Sequence, residues 1–168
     1  GYLRLRLRPE RLSEHASPSF VGRRQQHIHF AVQTALEFTP QTSHECAGLA
    51  LVQNSDFHFC LVVTLGTETV VRLIRRAHGE EEIMAERPIR PGRLYLRVEA
   101  REQAYSFYVA SEPDKWLPVA EAVDGRILST PVAGGFVGAY VAMYASSNGQ
   151  PSTNYADFDW FEYLGIEV

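Results

Sequence analysis

Apolar residues recur at every second position along most of the chain: Ile28, Phe30 and Val32, then Leu36 and Phe38; Phe57, Phe59, Leu61 and Val63; Leu94, Leu96 and Val98; Tyr105, Phe107 and Val109. A period of two sends successive side chains to opposite faces, so each run predicts a strand with one buried face. Turn chemistry separates the runs: Asn54-Ser55-Asp56, Ala77-His78-Gly79, Arg90-Pro91-Gly92, Glu112-Pro113-Asp114, Asp124-Gly125 and Ser147-Asn148-Gly149. No segment carries the 3.6-residue stripe and caps of an amphipathic helix. Some ten antiparallel strands laid in one sheet would leave a face of every strand wet, so they must stack as two sheets or close as a barrel. The expected fold is all-β, a two-sheet antiparallel jelly-roll sandwich formed by one domain over residues 1–168.

Charge and cysteine content narrow the function classes. A net charge of −4 gives no general attraction for phosphate backbones or anionic lipid, so nucleic acid is not an expected partner. No apolar run approaches the roughly 20 residues that cross a bilayer, and no membrane role is expected. The opening "GYLRLRLR" lacks an initiating Met and is already in strand pattern, which suggests a piece of a longer polypeptide. If residues 53–57 turn a hairpin, Cys60 falls opposite Ala50, about 13 Å along the strand from Cys46, so the two thiols are expected to be unpaired. That expectation, with no signal segment visible, favours a reducing, cytoplasmic compartment.

Candidate chemistry is sparse. In "DFDWFE", Asp157 and Asp159 should project from one face of a strand with Cα atoms roughly 6.5 Å apart, and Glu162 follows. Glycosidases use two carboxylates at about that separation, so Asp157, Asp159 and Glu162 are the residues of a catalytic reading. The competing readings are hydrogen-bond acceptors for neighbouring turns, or oxygen ligands of a structural calcium ion near Asp157 and Asp159. His27 and His29 alternate and should share an outward face, a spacing usable by a metal, although two ligands do not make a site. Arg24 and Gln26 fall on the inward parity of Ile28 and Phe30, which predicts either a buried polar network or a groove. Trp116, in the hairpin "YVASEPDKWLPV", is a candidate sugar contact or a seal at one end of the core. In "VAGGFVGAY", Gly134 and Gly135 free the backbone before Phe136, which then either plugs the core or is presented to a partner.

Several blocks together resemble one family. "GRRQQHIHFAVQTALEF", "AGLALVQNSDFHFCLVV", "RLYLRVEA", "GGFVGAYVAM" and "ADFDWFEYLG" are similar, in order, to the C-terminal concanavalin A-like domain of glycoside hydrolase family 43 β-xylosidases. The resemblance covers nearly the whole chain. It implies a non-catalytic accessory domain of a xylosidase or arabinofuranosidase, whose catalytic acids belong to an N-terminal five-bladed propeller that this chain lacks. It also implies that the Gly134, Gly135 and Phe136 loop brings an aromatic to the rim of the propeller's substrate pocket. Weak affinity for xylo-oligosaccharide, assembly as a homo-oligomer and no cofactor are further implications. His58 stands where the family carries an aromatic run. Two alternatives stay open, a stand-alone glycosidase and a structural or oligomerisation domain.

Overall fold

A computed structural model describes residues 1–13, 19–129 and 139–166 as two stacked six-stranded antiparallel sheets. The first sheet orders β1 (Leu3–Arg6), β12 (Tyr155–Gly165), β3 (His29–Phe38), β8 (Gly92–Arg101), β9 (Ala104–Ala110) and β10 (Leu117–Asp124). The second orders β2 (Ser19–Arg24), β11 (Tyr140–Ser146), β4 (Cys46–Asn54), β5 (Phe57–Leu65), β6 (Thr69–Ala77) and β7 (Glu80–Pro88). The described helical content is one 3-10 turn, Arg126–Leu128. Short hairpins make the two meanders. His78 (φ 53°) and Gly79 (φ 74°) close β6 onto β7 with both central residues left-handed, the twist that a two-residue hairpin needs. Edge strand β10 departs from regular pairing, with two register shifts against β9 and Ala122 at φ 52°.

The inner faces meet in one core. From the first sheet come Phe30, Val32, Leu36, Leu96, Phe107 and Phe158; from the second, Leu49, Phe59, Leu61, Leu73 and Val141. Every apolar residue that the period of two assigned inward belongs to this core, with one exception. Ile28 is 66% exposed, because the chain leaves the second sheet at Arg24 and joins the first only at His29, so strand parity is not carried across the connection.

The outer faces differ in kind. On the second sheet a further apolar cluster, Leu12, Cys46, Ala50, Cys60, Val62 and Tyr144, forms under the segment that carries Leu12. β5 is therefore buried on both sides, whereas alternation alone predicts a half-buried strand. The outer face of the first sheet is built of long polar and aromatic side chains, and β8 alternates strictly between buried and half-buried positions.

Candidate functional site

The carboxylate strand lies next to the middle of the first sheet. Asp157 is opposite Arg4 on β1 and Glu37 on β3, and Arg4 donates to both of its oxygens, Nε to Oδ1 at 2.8 Å and Nη2 to Oδ2 at 3.0 Å. The register then slips between Phe158 and Trp160, a bulge that makes Asp159 the extra residue. Asp159 accepts from Arg93 Nη2 at 2.8 Å, and Arg93 Nε donates to Tyr95 Oη at 3.1 Å. Glu162, beyond the bulge, accepts a 3.3 Å bond from Gln33. So each of the three acids is tied to a neighbour on the outer face, two of them by guanidinium groups. Among the described residues no three His, Cys, Asp or Glu side chains gather as a metal site.

A second polar cluster sits at the end of the sandwich where β2 hands over to β3. Tyr163 Oη accepts the backbone N–H groups of Gln26 at 3.0 Å and His27 at 3.2 Å, and lies 3.1 Å from His27 Nδ1. The Arg23 guanidinium covers the Tyr163 ring at 4.2 Å and donates to Gln26 Oε1. Arg24 donates to Tyr140 Oη at 2.9 Å, and Gln25 N–H donates to the Ala139 carbonyl at 2.8 Å. Arg24 and Gln26 are exposed, contrary to their predicted inward parity, because Arg24 is the last residue of β2 and pairs with outward-facing Tyr140. The predicted common outward face for His27 and His29 also fails. His27 folds over Gly165, which is opposite the inward residue Phe30, so that a Cβ on Gly165 would collide with the imidazole; His29 opens β3 on the other parity.

Trp116 is half-buried in the connection after Ala110, at the end of the sheet away from Gln26 and His27. The three residues proposed to touch carbohydrate are thus not brought together. Gly134, Gly135 and Phe136 lie outside the described residues; their flank, Ala139, is anchored by Gln25 as above. Both cysteines are free and buried, and Cys60 is opposite Ala50 as the hairpin register predicts.

Sequence reasoning did not single out Glu37, Arg93, Tyr95 or Tyr163. The signal was present in "RLYLRVEA", where Arg, Tyr, Arg and Glu alternate with core residues and so mark a strand whose wet face is crowded with hydrogen-bonding groups.

Comparison with known proteins places this architecture. The family described as beta xylosidase C-terminal concanavalin A-like domain matches residues 1–164. A xylosidase/arabinosidase of Butyrivibrio fibrisolvens is 38% identical over 162 residues, which is 96% of this chain and 31% of that protein. The non-reducing end alpha-L-arabinofuranosidase BoGH43B of Bacteroides ovatus is 34% identical over 99% of this chain and 32% of its own length. A solved Bacteroides ovatus structure described as xyloglucan PUL GH43B is 30% identical with a TM-score of 0.92, covering 99% of this chain and 33% of that one. The chain spans about a third of the length of each of these relatives.

Proposed function

The chain belongs to the C-terminal concanavalin A-like domains of GH43 beta xylosidases, and from that premise we propose that it is the accessory part of a xylan-active hydrolase, completing the substrate pocket of a separate catalytic domain. The observation that carries this reading is the state of the acid strand: Asp157 has both oxygens taken by Arg4 and Asp159 is held by Arg93, whereas a glycosidase needs one carboxyl free to give a proton and another free to attack or to activate water. The similar proteins named for xylosidase and arabinosidase activity are about three times as long, which leaves ample chain for catalysis elsewhere. On this reading Phe136 is the pocket-rim aromatic, and the ties from Gln25 to Ala139 and from Arg24 to Tyr140 fix the frame from which its segment departs. Any saccharide affinity of the domain by itself is weak.

The test has two arms. The chain alone should not hydrolyse an aryl xyloside; turnover that Asp159→Asn abolishes would overturn the accessory reading. Joined to a family 43 catalytic domain, Phe136→Ala should lower kcat/KM by roughly 5- to 30-fold, about 1 to 2 kcal/mol of transition-state binding. Unchanged kinetics would remove Phe136 from the pocket.

A further inference from the structure

The outer face of the first sheet is laid out in rungs across β12, β3 and β8. One rung is Asp157, Glu37 and Arg93; the next on the same face is Trp160, Ala35 and Tyr95, about 7 Å further along β3. The first rung opens into a cleft of about 370 Å³ lined by Glu37, Gln41, Arg93, Asn154, Tyr155 and Asp157. Glu37 is the single exposed residue of β3 and its side chain has no hydrogen bond or ion pair among the described residues, so it presents one unoccupied acceptor here, whereas Gln33 on the same face is bonded to Glu162 and Arg97. Arg93 reaches the same cleft with Nε and Nη2 engaged by Tyr95 and Asp159. Those bonds fix the guanidinium plane and leave Nη1 for a ligand. Tyr155, 39% exposed, adds an aromatic wall steadied by Arg4 at 3.8 Å from its ring centre.

The second rung is aromatic. The rings of Trp160 and Tyr95 lie with centroids 6.2 Å apart and planes inclined by 36°, with Ala35 fully buried between their strands, so the half-buried pair forms a raised aromatic platform. A polar well with a free acceptor and a fixed donor, beside a platform of two aromatic rings, matches a ligand with hydroxyl groups that donate and accept around the edge of a ring and with apolar C–H faces. The mixed charge of the well, Arg4 and Arg93 against Glu37, Asp157 and Asp159, gives no pull on a phosphate or sulfate.

We propose that this face is a binding site for a neutral linear saccharide lying along β3, with one sugar held in the Glu37 and Arg93 well and the next stacked on the platform of Trp160 and Tyr95. It lies towards the end of the sheet away from the Tyr163 cluster, so it is separate from any pocket-rim role of Phe136. The proposal rests on the accessory reading only for the choice of sugar.

The experiment is a titration of the chain with xylotetraose followed by amide and indole NMR shifts. Shifts should concentrate on Ala35, Glu37, Arg93, Tyr95, Asp157 and the Trp160 indole, with a Kd of roughly 0.1 to 10 mM. Glu37→Gln, exposed and unpaired, should weaken binding about 3- to 10-fold without altering the rest of the spectrum, and Trp160→Ala by tenfold or more. No shifts at saturating sugar, or shifts centred on Gln25, Ala139 and Tyr140 instead, would overturn the site. So would shifts on these rungs that appear only when a catalytic domain is joined, which would make the face a contact between domains. The Phe136→Ala kinetics are read separately, so either proposal can fail without the other.

Discussion

The two outer faces of this sandwich began from the same strand grammar and ended as opposites. On the second sheet, β5 reads Phe-His-Phe-Cys-Leu-Val-Val, and its outward residues His58, Cys60 and Val62 are 3%, 6% and 1% exposed, the latter two packed in one cluster with Leu12 and Tyr144. On the first sheet, β8 reads Arg-Leu-Tyr-Leu-Arg-Val-Glu, and its outward residues Arg93, Tyr95, Arg97 and Glu99 all stay half-exposed, bonded sideways to one another and to Gln33 and Asp159. A sheet face sealed by apolar atoms stabilises the fold, while one finished with mutually bonded polar groups keeps its donors, acceptors and ring faces available.

The contrast can be broken most forcefully at Tyr144, which is 4% exposed and belongs to the sealed cluster. Tyr144→Ala should cost about 3 to 5 kcal/mol by urea denaturation, through lost burial and the cavity left behind. A cost under about 1 kcal/mol would mean that the second face is not sealed in solution.

His58 offers a graded version of the same test. Its imidazole is buried on the sealed face, and burial pushes its pKa down to about 4 against an ordinary 6.5; Arg76 pushes the same way, while a weak contact with the Asn54 carbonyl and the charge of Asp56 oppose it. Between those values the unfolded chain takes up a proton that the native chain refuses. Stability from this group is complete above about pH 6.5, falls as pH drops through the window, and is lost below about pH 4, a total of about 3 kcal/mol. Denaturation midpoints from about pH 7 to 5 should decline in the native chain and flatten in His58→Leu. An unchanged slope would place the proton uptake elsewhere.

The smallest effect is expected on the open face. Glu99 accepts from Arg97 Nε at 3.0 Å and Nη2 at 2.9 Å, with both side chains partly in water, so Glu99→Ala should cost less than about 1 kcal/mol. A loss comparable to that of Tyr144→Ala would show that the polar lattice of the first sheet carries stability as the sealed cluster does.

Much of this was legible in the chain. The period of two placed the inner core of β3, β5, β8 and β9, the Asn54-Ser55-Asp56 turn placed Cys60 opposite Ala50, and the ordered blocks gave the family. What was not legible follows from one limitation of that signal: parity says which side of a strand a residue takes, but not which sheet the strand joins. The exchange of sheets between Arg24 and His29 therefore reversed the reading of Ile28, Arg24, Gln26 and His27. The bulge at Asp159 was hidden for a related reason, since alternation in "DFDWF" continues smoothly in sequence while the partner strand loses a residue. Nor could local pattern reveal that Leu12, more than thirty residues before Cys46, would roof the second sheet. His58, a polar residue in β5, is nonetheless buried, which its residue type alone does not signal.

The four edge strands decide how anything can approach. β1 is four residues long and carries Arg4 and Arg6; β2 ends in Gly22, Arg23 and Arg24; β7 begins with three glutamates; β10 contains Pro118 and two slips in its ladder. Each presents a short, charged or irregular row of peptide groups, poor templates for a further strand. An extended peptide or the edge of a second copy finds no clean ladder to lengthen, and sheet extension, a common route by which β-proteins recruit partners and also aggregate, is discouraged on every side. Contact with this domain is thereby steered to its broad surfaces and its two ends, where side chains rather than backbone decide what is accepted.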